Sequence, residues 1–313
     1  MRIAIALLLS VMASAVCAQN RTVALTFDDL PLVVEASPAF ATPAARIAES
    51  RRVNRAILTA LKKHHAWAIG FVNEKKVQAD GTAEESRAIL NEWIKSGNDL
   101  GNHTFSHPNL NDISVEGFEQ EVVDGEASIK MLMNNAGRPL RYLRFPFNHS
   151  GETEAKHAAV AMFLKQRGYE VATCTVDNTD WLFARVYTLM LQRKDAAAAK
   201  RLRAAYIQFT AQELTYYAQL HQQIFGHEIP QVMLLHANPL NAVLIEQVLR
   251  VFEKEKYRFV TLEQAQSDPA YQTPETYPTA YGPMWGYRWA RTLNLKVDGS
   301  REPTVPQWIE DYK

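Results

Sequence analysis

Short apolar runs alternate with longer helix-patterned stretches along most of this chain, and no other feature restricts its fold as much. The apolar runs at 22–27, 66–72, 98–102, 140–145, 169–176, 231–236 and 257–261 read as strands. Several are almost unbroken Val/Ile/Leu/Phe sequences, the pattern of strands covered on both faces. Between them, 45–64, 84–96, 115–135, 154–167 and 241–255 carry helical periodicity, while 73–81 and 148–153 read as loops. Strand–helix alternation of this kind builds βα units around a parallel sheet. With seven strands, the expected architecture is α/β: a distorted (β/α) barrel.

Two stretches stand outside the alternation. Residues 185–225 are long and helical, with Ala196 to Ala199 as a strong helix-forming core. They predict a helical insertion, either an elaborated crossover or a lid. From Asp268 onward the chain is rich in proline and aromatics, including Tyr271, Tyr277, Tyr281, Trp285, Tyr287, Trp289, Trp308 and Tyr312. The segment 268–313 is therefore expected to be a tail packing on the barrel.

The first eighteen residues differ from the rest. Arg2 is followed by an almost wholly apolar stretch from Ile3 to Val16, and Val16-Cys17-Ala18 offers small residues for cleavage. This reads as a secretory signal at 1–18, implying a secreted or periplasmic product with no stable membrane insertion after cleavage. Cleavage leaves one cysteine, Cys174, so no intrachain disulfide is expected. Its apolar strand predicts an inert, buried thiol. The 34 basic and 34 acidic residues balance to zero net charge, which removes any electrostatic case for nucleic acid as a partner.

The polar residues that could carry chemistry fall at strand ends. Asp28-Asp29 follow the first strand, and His103 and His107, four residues apart, follow the third. Arg144 ends the fourth strand, Asp177 to Trp181 follow the fifth, and His236 ends the sixth. A histidine pair or an Asp-Asp dipeptide alone is common. Five clusters at the same end of a parallel barrel are not, because in (β/α) barrels that end carries the active site. Imidazole and carboxylate together suit a divalent ion, and three protein ligands leave positions open for water and substrate.

In this order the clusters resemble the five motifs of the polysaccharide deacetylase family, the NodB-homology carbohydrate esterases. The motifs are Thr26-Phe27-Asp28-Asp29, His103-Thr104-Phe105-Ser106-His107-Pro108, Arg144-Phe145-Pro146-Phe147, Asp177-Asn178-Thr179-Asp180-Trp181 and Leu234-Leu235-His236. The resemblance spans about 21–265 and implies a deacetylase domain at 19–267, with the insertion at about 185–225.

It implies a divalent metal, Zn²⁺ first, with Co²⁺, Ni²⁺ or Mn²⁺ as alternatives, on Asp29, His103 and His107. It further implies Asp28 as general base, Arg144 as the partner that holds it ionised and oriented, His236 as general acid and Asp180 as the residue that orients or tunes His236. Trp181 would line the pocket for the acetyl methyl, and the Phe147 N–H would stabilise the oxyanion. The implied substrate is an N-acetylated amino-sugar glycan of peptidoglycan or chitin type. Rival readings are an O-acetyl esterase on xylan or another glycan, hydrolysis of a small amide or imide, and a non-catalytic glycan-binding protein. The chain departs from the family pattern at Phe147-Asn148-His149, where Tyr and Gly often follow the third motif, and in the long spacing from Trp181 to His236. His149 adds a polar group near the site.

Overall fold

The computed structural model describes residues 21–34 and 37–312; the expected signal at 1–18 lies outside the described residues. The first half of the chain runs β1 (Thr22–Leu30), α1 (Pro43–Lys63), β2 (Ala68–Val72), α2 (Glu74–Gln78), α3 (Ala83–Lys95), β3 (Asp99–Asn102), α4 (Val115–Asp124), α5 (Ala127–Asn135), β4 (Tyr142–Leu143) and α6 (Glu154–Gln166). The second half continues with β5 (Glu170–Val171), β6 (Val176–Asp177), α7 (Asp180–Gln192), α8 (Ala196–Phe225), β7 (Gln231–His236), α9 (Pro239–Lys254), β8 (Arg258–Val260), α10 (Leu262–Gln266), α11 (Trp285–Thr292) and α12 (Gln307–Glu310).

Every strand pairing is parallel, and seven strands form one run in the order β5-β4-β3-β2-β1-β7-β6. β8 adds to the start of β1, pairing Thr22–Ala24 with Arg258–Val260. The distorted (β/α) barrel expected from the alternation is what forms. Its distortion is concentrated in one place. The run 169–176, expected as one strand, divides into β5 on the β4 edge and β6 on the β7 edge. Ala172 N–H donates to Leu143 O, and three residues later Thr175 N–H donates to Val232 O. A single stretch of chain thus serves both ends of the sheet.

β2 is buried at all five positions, as befits a central strand covered on both faces. Phe27 of β1 meets Trp93 of α3 edge to face, with centroids 5.5 Å apart, and the Trp93 indole N–H donates to Asn54 Oδ1 at 2.7 Å. Helices α1, α3 and α9 cover this side of the barrel, while α7 and α8 cross over from β6 to β7 and pack on α9. Trp285 and Trp289 of α11 are buried against α8.

Three expectations need correction. The helix expected at 115–135 is two helices, broken at Gly125-Glu126. A Cβ on Gly125 would sit 2.6 Å from Asn102 Oδ1, so only glycine fits where the chain passes the end of β3. The loop expected at 73–81 contains α2. The first strand does not stop before Asp28 but runs through it to Leu30.

Trp93→Ala removes both the ring contact and the indole hydrogen bond. It is expected to cost about 3–5 kcal/mol, measured as a lowered denaturant midpoint with an unchanged slope.

Candidate active site

Adjacent residues of a regular strand point to opposite faces, so Asp28 and Asp29 could not both face one site from an undistorted β1. The pairing of β1 with β2 shifts register between Phe27 and Leu30, and Asp29 adopts φ 68°. This irregularity re-aims a side chain, as bulges do next to active sites. Asp28 remains in ladder register with His236 on β7, which places a carboxylate and an imidazole side by side on neighbouring strands.

His103 leaves the end of β3 buried, and its Nδ1–H donates to the Arg144 carbonyl at 2.8 Å, leaving Nε2 free as a lone pair. The following turn is held by Thr104 N–H to Asn102 Oδ1 (2.8 Å) and His107 N–H to Thr104 Oγ1 (3.1 Å). It brings the His107 ring to 4.8 Å from that of His103. Ligand-type atoms of Asp29, His103 and His107 all lie within 4.8 Å of one another. Burial pushes both histidines down to about 4, so each is neutral at physiological pH, as a metal ligand must be. Burial opposes the charge on Asp29 as well, but Lys76, His107 and His103 outweigh it and hold its carboxyl well below the usual range. Lys76 Nζ is 3.0 Å from Asp29 Oδ1 but not along a hydrogen-bonding direction, so that oxygen is buried without a donor. One orphan carboxylate oxygen and two neutral imidazoles form an N/O donor set that fits a divalent cation.

Arg144, just beyond β4, is fully buried. Its Nη1 lies 3.4 Å from Asp28 Oδ2, and its Nη2 donates to Thr26 Oγ1 (3.1 Å) and the Thr173 carbonyl (3.2 Å). The expected pairing with Asp28 is present, but not the expected net effect. Burial raises the Asp28 pKa, and Arg144 and His236 offset that only partly.

The opposite balance holds at His236. Burial opposes its charge, but Asp180 overcomes this: Asp180 Oδ1 lies 2.6 Å from His236 Nδ1, and the pKa is pushed up to about 10. Asp180 is buried at the start of α7, where its Oδ2 also accepts from His236 N–H (2.8 Å), Asn238 Nδ2 (3.0 Å) and Asn241 Nδ2. Asn238 is there because it caps α9, accepting from Asn241 N–H at 2.8 Å, with Pro239 preset in the first turn.

Phe147 sits in a tight turn at φ 56°, closed by Asn148 N–H to Phe145 O and His149 N–H to Pro146 O, and its ring is 4.6 Å from that of His107. His149 is tied to Asn109 Oδ1 at 2.6 Å. Trp181, next to Asp180 on α7, is 48% exposed, and its indole makes no ring contact or hydrogen bond among the described residues. Cys174 is buried against Met284, and burial pushes its thiol up, as an unreactive cysteine requires. A cavity of about 580 Å³ bordered by Tyr142, His157, Glu170 and Trp285 includes none of Asp28, Asp29, His103, His107, Arg144, Asp180 and His236.

Reasoning from sequence missed Lys76, Asn238 and Asn241. Lys76 had a usable signal, since it lies just past the end of β2, beside the strand ends that carry Asp29 and His103.

A family model described as polysaccharide deacetylase matches residues 15–172, and the chain belongs to that family. Asp180, Trp181 and His236 lie beyond the matched stretch. The chain is 27% identical over 159 residues to a peptidoglycan-N-acetylglucosamine deacetylase of Bacillus cereus, covering 51% of this chain and 46% of that protein. It is 28% identical over 146 residues to a chitooligosaccharide deacetylase of Azorhizobium caulinodans, covering 46% and 62%. These matches span roughly half the length of those relatives. Among solved structures, a CE4 family pseudoenzyme from Bacillus anthracis superposes with a TM-score of 0.52 at 15% identity, over 79% of this chain and 66% of that one. A polysaccharide deacetylase from Bacillus cereus gives 0.50 at 18% identity, over 77% and 91%. Both likenesses concern the fold.

Two outcomes are expected. Lys76→Met removes a positive charge beside the donor set and should tighten divalent-ion binding about tenfold in calorimetric titration; unchanged affinity would show that Lys76 turns away at no cost. The His236–Asp180 pair favours the charged imidazole in the folded state. Its contribution is fully present below pH 6.5 and is lost as pH rises toward 10. His236→Gln should therefore flatten the fall in unfolding free energy over that window.

Proposed function

We propose that this protein is a divalent-metal-dependent hydrolase, secreted or periplasmic, that removes acetyl groups from the nitrogen of amino sugars in a glycan of peptidoglycan or chitin type. The observation that carries the reading is the pairing of Asp28 and His236 in register on adjacent strands. One carboxylate has its pKa raised and one imidazole is held protonated, on the flank of a His–His–Asp donor set. Groups pushed to opposite protonation roles within one site mark a base and an acid. The activities of the two relatives, on N-acetylglucosamine in peptidoglycan and on chitooligosaccharides, support the same substrate class.

Asp29, His103 and His107 would hold the ion, Zn²⁺ being the best match to two imidazoles and a carboxylate, with Co²⁺, Ni²⁺ and Mn²⁺ also accommodated. When bound, it supplies Lewis acidity for the acyl oxygen and for water. Asp28 accepts the water proton, and burial brings its basicity closer to working pH, where a general base is most effective. Arg144 fixes the orientation of that carboxylate. The Phe147 N–H donates to the oxyanion from a turn already bent toward His107. His236 delivers its proton to the departing nitrogen, while Asp180, held by three other N–H donors, orients the ring and stabilises its charge. Trp181 borders the space for the acetyl methyl.

An amine leaves only when protonated, whereas an alkoxide from an ester needs that help less. The investment of Asp180 in keeping His236 charged therefore favours the amide over the ester reading. Secretion rests on the apolar segment at 3–16; among the described residues no helix is long and apolar enough to cross a membrane. We assign the activity to residues 19–267, with 268–313 as an appended tail.

Asp28→Asn is expected to keep the ion and lose about 10²–10⁴-fold in kcat; retained turnover would remove Asp28 as base. Acetate release should be compared across chitin oligomers, peptidoglycan, acetylated xylan and aryl acetates, with and without chelator. Chelator-sensitive release from the first two supports the proposal. Release from xylan alone would assign the site to esters, and glycan binding with no acetate from any substrate would make the protein a binder.

A further inference from the structure

Beside the candidate active site, α8, the stretch before α7 and the C-terminal segment line an open cavity of about 260 Å³ that the proposed reaction does not use. Three carboxylates line it, those of Asp177, Glu213 and Glu302, and no basic side chain does. Glu302 accepts from the hydroxyls of Tyr217 and Tyr287, the latter at 2.8 Å, and Asp177 accepts from Thr179 N–H at 2.7 Å. Glu213 is different: it is 3% exposed, and its Oε2 has no hydrogen-bond partner. A buried carboxylate oxygen without a donor is costly. Burial together with the charges of Glu302 and Asp177 pushes Glu213 up to about 9. So raised, Glu213 is protonated at neutral pH, and a cation able to donate to Oε2 would favour its ionised form.

That cation is not a second metal ion. Among the described residues, only Asp29, His103 and His107 bring three ligand atoms within 4.8 Å, so these three acids do not converge closely enough to share one ion. The cavity instead suits an organic ammonium that donates to Glu213 Oε2 alone, while Asp177 and Glu302 add negative charge around it and Phe209, Tyr217 and Tyr287 complete the lining. The cavity is smaller than the roughly 300–1,000 Å³ of drug-sized sites, which limits an occupant to about one sugar unit.

The location points to where such an ammonium arises. Asp177 is three residues before Asp180 and feels the charges of His236 and Asp28. Gly282, on the cavity wall, is pressed against the turn that carries Phe147: a Cβ there would lie 1.9 Å from the Phe147 carbonyl oxygen. The wall of the cavity is thus the back of the active-site turn.

We propose that this cavity is a subsite for the protonated amine of a glucosamine-type unit, one that has already lost its acetyl group, neighbouring the unit being processed. The assignment rests on the deacetylase reading above, since hydrolysis of an N-acetyl group leaves an amine that is protonated at neutral pH. It ties α8 and the C-terminal segment, both outside the strand–helix alternation, to recognition of partly deacetylated chains.

The test is calorimetric binding of the β-1,4-linked glucosamine dimer and of its fully N-acetylated counterpart to the full chain, to Glu213→Gln and to Glu302→Gln, with circular dichroism to confirm folding of each variant. The wild-type protein should bind the glucosamine dimer about tenfold more tightly, or about 1.4 kcal/mol. Each substitution should abolish that preference while leaving acetate release from fully acetylated oligomers unchanged. Equal binding of the two dimers by the wild-type chain, or an undiminished preference in both folded variants, overturns the subsite. Acetate release without glucosamine preference removes the subsite and keeps the deacetylase reading. Glucosamine preference that depends on Glu213, with no acetate from any glycan, does the reverse.

Discussion

The buried guanidinium of Arg144 is the interaction on which the site depends. It contacts Thr26 and Asp28 on β1 and the Thr173 carbonyl in the stretch that joins β5 to β6, while its own backbone carbonyl fixes the His103 ring. A fully buried charge must be paired and hydrogen-bonded, and removing a partner costs several kcal/mol. One residue therefore couples the distorted edge of the barrel, the proposed base and a proposed metal ligand. A shift of its guanidinium would disturb the first two, while the His103 ring follows the backbone at residue 144.

Around that anchor the fold separates three imidazoles into two roles by environment alone. His103 and His107 are buried without a carboxylate close enough to overcome desolvation, and they are neutral. His236 is also buried, but Asp180 accepts from its ring at 2.6 Å, and it is charged. The distinction originates in helix capping: Asn238 and Asn241 at the start of α9 direct their amides onto Asp180 Oδ2, which leaves Oδ1 for the imidazole. The irregularity in β1 acts similarly at the other end of the site. A shift in one strand's register lets adjacent aspartates serve one centre, one as the proposed ligand and one as the proposed base.

Much of this was legible in the chain because the barrel and its polar strand ends are written in local pattern. The apolar runs located each strand, and the motif residues fell at or just beyond their ends. What escaped was determined by close approach rather than by periodicity. The glycine at 125, where α4 gives way to α5, reflects its close approach to Asn102, and the division of 169–176 follows from the need to reach both β4 and β7. Lys76 belongs to a charged helix that reads as a loop. Glu213 and Glu302 are separated by 89 positions and meet only because α11 packs on α8. Asp180 and His236 were found through their resemblance to family motifs; their hydrogen-bonded pairing is a tertiary fact that neither local sequence contains.

The claim at the centre of this account is that Asp29, His103 and His107 hold one catalytic ion beside Asp28 and His236. The most direct measurement is acetate release from an N-acetylglucosamine oligomer by chelator-stripped protein titrated with Zn²⁺, with bound metal counted in parallel. Stripped protein should release no acetate, activity should rise in proportion to bound ion up to one per chain, and His103→Ala should show neither binding nor activity. Full acetate release by protein shown to be free of metal would contradict it.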